Sequence, residues 1–89
     1  MTTADAIRAE CAAVLAMLLA KNAAYGDSAT RPLRVFSRAS SEEQLLVRID
    51  DKLSRIARGS DAGEDVVLDL IGYLVLLRVV RNERTRDKT

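Results

Sequence analysis

Apolar residues recur at helical spacing through the first quarter of the chain. Ile7, Cys11, Val14, Leu15 and Leu18 form one stripe, flanked by Met17 and Leu19. The pattern predicts a helix from about Thr3 to Asn22 whose apolar face is wider than one partner helix requires. The segment Ala23 to Ser41 breaks the pattern. Tyr25-Gly26-Asp27-Ser28 reads as a turn, and Pro32 is placed to open a short helical turn through Phe36. Ser40, with Glu43 three residues on, is a capping-box signature. It starts a second helix, about 42–58, with a buried stripe of Leu45, Ile49, Leu53 and Ile56. Gly59 follows as a natural residue to end it.

The linker Gly59 to Gly63 is short, so the second and third helices are expected to pack as an antiparallel hairpin. The third helix, about 64–84, has acids in its first turn, where the helix dipole favours them. From Val66 to Val80 its apolar residues point in nearly every direction. A helix apolar all round must be buried all round. Two other helices cannot enclose it, so its remaining face is expected to meet another subunit. The charged tail, 82–89, is expected to fray.

The fold class this predicts is all-α: one domain over residues 1–89, an N-terminal helix plus the hairpin, assembled as an oligomeric helical bundle. Composition agrees. Hydrophobic residues are 48% of the chain, yet there is no Trp, one Phe and two Tyr, which is not the β-branched and aromatic content of strands. A chain of 89 residues forms a thin core unless something adds to it. Cys11 is the only cysteine, so no intrachain disulfide can help. With no His, zinc-finger and Cys/His chemistry are excluded. Catalysis would have to run on carboxylates, Lys, Arg, Tyr, hydroxyls or a metal held by oxygen. The net charge of +1 draws the chain to neither nucleic acid nor anionic lipid. The start, Met1 to Asp5, lacks a basic n-region, so a cytoplasmic location is expected. The apolar run Leu70 to Leu77 is far short of the roughly 20 residues a membrane span needs.

Three polar clusters interrupt the apolar pattern. Asp65, Asp69 and Gly72 share a narrow stripe on the third helix. Buried carboxylates need a cation or a metal, so the stripe pairs with arginines, or Asp65 caps the helix, or the acids hold metal. Arg48, Asp51, Lys52 and Arg55 share a face of the second helix. They form either a solvated network or a site where Arg48, Lys52 and Arg55 grip phosphate. Mg²⁺ binds through one or two carboxylates plus substrate phosphates, and Asp51 with the acidic stripe could supply them. In the loop, Lys21, Asn22, Tyr25 and Gly26 gather donors and a stackable ring, followed by Arg31, Arg34 and Arg38 around Phe36. That segment either grips a nucleotide or phosphodiester, or is a plain surface loop with Phe36 tucked into the core.

Taken in order, Lys21-Asn22-Ala23-Ala24-Tyr25-Gly26, then Arg48-Ile49-Asp50-Asp51-Lys52-Leu53-Ser54-Arg55, then Glu64-Asp65-Val66-Val67-Leu68-Asp69-Leu70-Ile71-Gly72-Tyr73, resemble a known pattern. The pattern is K-N-x-x-Y-G, R-x-x-D-K-x-x-R and E-D-x-x-x-D-L-x-x-Y, that of nucleotide modification associated domain 1. The resemblance covers Leu18 to about Val80. That family is common in bacteriophage genomes and is similar in turn to the MazG-like all-α nucleoside-triphosphate pyrophosphatases, which are helical oligomers holding Mg²⁺ with carboxylates of two helices. It implies a nucleotide or nucleotide-derived ligand, phosphate contacts from Lys21, Asn22, Tyr25, Arg48, Lys52 and Arg55, and Mg²⁺ at Asp51, Glu64, Asp65 and Asp69. It also implies a homo-oligomer, dimer or tetramer, with sites near subunit interfaces. The chain departs from the enzymes: their E-x-x-E pair is absent, and Asp65 and Asp69 are four apart rather than three. Fewer acids and more arginines favour holding phosphate over activating water. Three functions follow: Mg²⁺-dependent pyrophosphohydrolysis, non-catalytic sequestration of a host nucleotide signal, and a helical interaction or DNA-binding module. The balanced charge counts against the last.

Overall fold

The computed structural model describes residues 1–60 and 63–87 and is all-helical. Three helices make it up: α1 (Thr3–Tyr25), α2 (Ser41–Arg58) and α3 (Val66–Asp87). The middle of the expected Gly59–Gly63 linker and the last two residues of the expected tail lie outside the described residues.

Each start is fixed by a side chain. Thr2 caps α1 through a reciprocal box: Thr2 Oγ1 accepts from Asp5 N–H, and Asp5 Oδ2 accepts from Thr2 N–H, both at 3.1 Å. Ser40 Oγ accepts from Glu43 N–H at 3.0 Å and starts α2. Asp65 caps α3, its Oδ1 accepting from Leu68 N–H at 3.0 Å. The α2 terminus is a Schellman turn. Gly59 takes the left-handed conformation (φ 67°, ψ 25°), and the Gly59 and Ser60 N–H groups reach back to Ile56 and Arg55 carbonyls.

Among the described residues the main packing is between α2 and α3, and α1 packs on α3. Glu42 at the start of α2 pairs with Arg81 and Arg84 near the end of α3. Arg55 near the end of α2 pairs with Glu64 just before α3. The two helices therefore run in opposite directions. Between them lie the buried side chains Leu45, Ile49, Val66 and Leu77.

Several expectations change here. The buried line of α2 is Leu45, Ile49 and Lys52, not Leu45, Ile49, Leu53 and Ile56. Lys52 is buried and carries its ammonium to the carboxylates of Glu64 and Asp69, as amphipathic chains do. Leu53 and Ile56 stay exposed. Helix α3 is covered on one side only; Val67, Ile71 and Leu74 are exposed in the chain. It continues past Arg84 through Asp87, with Arg81 and Arg84 held by Glu42. The segment after Pro32 forms no helical turn, and Phe36 is 97% exposed rather than in the core.

Candidate functional site

Lys21, Asn22 and Tyr25 stand on the last turns of α1, not in a loop. The helix passes Asn22 because Ala23 and Ala24 are strong helix formers. It stops at Gly26, whose φ of 63° an ordinary residue rarely adopts. Asn22 braces that stop: with its amide oriented to donate, the nitrogen lies 3.1 Å from both Asp27 Oδ1 and Gly26 O. Lys21 and Tyr25, four residues apart, then project from one face.

That face meets α2 and α3 across a cleft of about 260 Å³. Met17, Leu18, Gly72 and Leu76 line its apolar part. Lys21, Asn22, Tyr25, Arg48, Asp69 and Tyr73 supply polar groups and rings. Gly72 is what lets α1 close onto α3. A methyl group there would sit 2.8 Å from Met17 Cε and 3.3 Å from Leu18 Cδ2. The spacing Asp69, Gly72, Tyr73, Leu76 is one helix face, so α3 contributes a continuous wall.

A chain of alternating charges starts at the cleft with Lys21 and Asp69 and leads away from it. Asp69, whose side chain is 20% exposed, has Oδ1 3.6 Å from Lys21 Nζ and Oδ2 3.5 Å from Lys52 Nζ. Lys52 Nζ also donates to Glu64 Oε2 at 3.2 Å. Arg55 reaches the same Glu64 oxygen at 2.9 Å and Asp51 Oδ2 at 3.2 Å. Burial opposes the charge on Lys52, but the Glu64 hydrogen bond and the charges of Glu64 and Asp69 outweigh it. The ammonium is held above its ordinary value of 10.5 despite nearby Arg55. Lys52 thus remains a cation while its stem is buried.

Arg48 stands apart from that chain. Its guanidinium lies over the Tyr73 ring, 5.9 Å from the centroid, a contact worth about 0.5–1 kcal/mol at an exposed position. No ion pair joins it to a carboxylate among the described residues. A guanidinium with no carboxylate partner keeps its planar donor fork available, the geometry that suits phosphate or carboxylate.

The residues expected to hold phosphate therefore divide. Lys21, Asn22, Tyr25 and Arg48 line the cleft. Lys52 and Arg55 are engaged by Glu64, Asp69 and Asp51. The acids expected to hold Mg²⁺ divide too. Asp65 caps α3, Asp51 faces Arg55, Glu64 faces Lys52 and Arg55, and Asp69 alone of the four lines the cleft. Among the described residues no group of three or more acids is placed to hold one metal ion. Arg31, Arg34 and Arg38 are exposed in the irregular segment and do not line the cleft.

Tyr73, the last position of the third motif, lines the cleft but is not among the residues the sequence assigns to the site. Its signal is the four-residue step from Asp69. Met17 and Leu18 carry no such signal, since an apolar side chain reads as core wherever it lies. No helix among the described residues is long and apolar enough to cross a membrane. No family model, no curated protein and no solved structure matches this chain.

Proposed function

We propose that the cleft between α1, α2 and α3 binds a nucleotide or nucleotide-derived ligand and that Arg48 and Lys21 take its phosphates. The observation that carries this reading is Arg48: a cation with no carboxylate partner among the described residues, over the Tyr73 ring at 5.9 Å from its centroid, lining a cleft that is partly apolar. A volume of about 260 Å³ falls just below the roughly 300–1,000 Å³ of small-molecule sites. It suits a base and sugar lying on Met17, Leu18 and Gly72, with phosphates left at the open edge. Tyr25 and Tyr73 offer faces on which a base stacks. The antiparallel hairpin of α2 and α3, with α1 against it, is read as one subunit of a homo-oligomer, a dimer or tetramer.

Binding without cleavage is the first reading, because a single acid accompanies the cations of the cleft. Asp69 keeps a second reading in play. Mg²⁺ carried in on a polyphosphate needs only one or two protein carboxylates. Asp69 would supply one, Lys21 would give up its pairing to the phosphates, and the chemistry would be metal-assisted pyrophosphohydrolysis. The test is a panel of nucleoside mono-, di- and triphosphates and cyclic nucleotides, each incubated with the protein and Mg²⁺, then separated from it. Ligand depleted from solution and recovered intact after denaturation supports binding. New nucleoside monophosphate and pyrophosphate support hydrolysis. A panel unchanged at millimolar concentrations rejects both.

A further inference from the structure

We infer that the cleft reads phosphate number: its ligand carries one phosphate group, as in a nucleoside monophosphate or a cyclic mononucleotide, and a second or third phosphate adds no affinity. This rests on the nucleotide reading above and assigns the ligand class of that same site. The alternating chain that starts at the cleft holds three cations, Lys21, Lys52 and Arg55, and three carboxylates, Asp69, Glu64 and Asp51. Every cation in it has a carboxylate within 3.6 Å, so the chain is neutral as a unit. The charged residues that line the cleft are Lys21, Arg48 and Asp69. Two cations against one carboxylate leave a single positive charge there. Asp27 sits just beyond, its Oδ1 3.1 Å from the Asn22 amide nitrogen, and adds no cation. Arg48, paired with no carboxylate among the described residues, is the charge left to hold an anion.

A planar guanidinium that pairs through both donors of its fork holds one phosphate. A second phosphate would have to draw on Lys21. The Lys21 ammonium lies 3.6 Å from Asp69 Oδ1, so a phosphate that reaches it also meets that carboxylate. Asp69 is not free to step aside, because Lys52 Nζ lies 3.5 Å from its other oxygen. A like charge set beside the extra phosphates works against polyphosphates, which is how specificity is built against a wrong ligand. Size points the same way. A cleft of about 260 Å³ leaves a polyphosphate tail in water, where contacts between exposed charges are worth little.

The experiment is calorimetric titration with a chelator in place of Mg²⁺, so that no metal cancels the added charge. The probes are adenosine, guanosine, cytidine and uridine, each as the nucleoside, the 5′-mono-, di- and triphosphate and the 3′,5′-cyclic monophosphate. Wild type and Asp69→Asn are compared, with thermal melts to show that both are folded. In the base series that binds best, one phosphate should tighten binding about tenfold over the nucleoside. The di- and triphosphate should stay within about threefold of the monophosphate. Whichever of the 5′-monophosphate and the cyclic monophosphate binds tighter identifies the source of the phosphate, and either supports the single-phosphate class. Asp69→Asn should shift the preference toward the triphosphate by about fivefold, since the opposing charge is gone. If that variant does not fold, the wild-type series decides alone. Affinity that climbs about tenfold with each added phosphate overturns the single-phosphate class and leaves nucleotide binding standing. A nucleoside as tight as its monophosphate overturns it as well. No binding in any series up to millimolar concentration overturns the nucleotide reading itself.

Discussion

Arg48 of α2 lies over the ring of Tyr73 of α3, with 5.9 Å between guanidinium carbon and ring centroid. The pair joins two helices at the cleft, and no carboxylate among the described residues takes up the guanidinium. Arg48 is exposed and adds little to the core, so Arg48→Ala should lower nucleotide affinity at least tenfold with a melting temperature within about 2 °C of wild type. Arg48→Lys should recover only part of the affinity, since an ammonium lacks the planar fork. Calorimetric titration and thermal melting of the three proteins check this. Unchanged affinity with an early melt would make Arg48 a structural residue.

Asp69 is held between Lys21 and Lys52. Removing its charge leaves Lys52 with Glu64 alone, so Asp69→Asn should destabilise the fold by about 1–2 kcal/mol, less than the loss from a fully buried pair. Melting with and without Mg²⁺ distinguishes the roles. A ligand that binds only the folded state stabilises it. If Mg²⁺ raises the melting temperature of wild type in the absence of nucleotide, and not of Asp69→Asn, Asp69 belongs to a preformed metal site. The ion-pair geometry predicts no such Mg²⁺ effect without nucleotide.

The charged groups set the pH limits of stability. Lys52 is raised above its ordinary 10.5. Its contribution is fully present below that value and is lost as pH rises through the higher folded one. Glu42 is lowered from 4.5, first by the Arg81 hydrogen bond, against desolvation, with the charges of Arg84 and Arg81 assisting. Asp5 is lowered from 3.8 by hydrogen bonds from Thr2. Their contributions are present above those ordinary values and fade as pH falls through the lowered ones. Lys52→Met should flatten the alkaline limb of a stability–pH curve, and Glu42→Gln should flatten the acid limb. Urea melts across the pH range would show either change.

Gly72 sets how closely α1 lies on α3. Gly72→Ala forces Met17 Cε and Leu18 aside, a modest shift because Met17 is flexible. Gly72→Leu cannot be absorbed so. It should reduce ligand affinity more than tenfold and loosen α1, read as lost helicity and faster amide exchange over residues 14–25. Equal affinity for Gly72→Leu and wild type would place the ligand elsewhere.

The sequence carried the elements well because their ends are local chemistry. Ser40, Gly59 and Asp65 act over three or four residues, so their roles are legible in the chain itself. The register of α2 against α3 was not. Periodicity alone makes Leu53 and Ile56 equivalent to Ile49, and only the packed fold decides that Lys52 is buried and they are not. The cleft was legible in its polar half. Lys21, Tyr25 and Arg48 were singled out by type, but their meeting depends on Gly72 and on α1 running on to Tyr25. Reading Lys21 and Tyr25 as loop residues missed the helical step that puts them on one face. The four acids looked alike in sequence and separate only by partner: a helix end for Asp65, arginine for Asp51, lysines for Asp69 and both kinds for Glu64.

The central claim is that nucleotide enters the cleft, and the chain carries its own reporter. It has no Trp, and both of its tyrosines, Tyr25 and Tyr73, line the cleft. Intrinsic tyrosine emission, corrected for ligand absorbance, therefore reads that site alone. Titration with the nucleotide panel should change emission saturably, the change should fall in part in Tyr25→Phe, and Arg48→Ala should shift the midpoint at least tenfold upward. Emission that does not move for any nucleotide up to millimolar concentration, or a response that is identical in Arg48→Ala, would contradict the account.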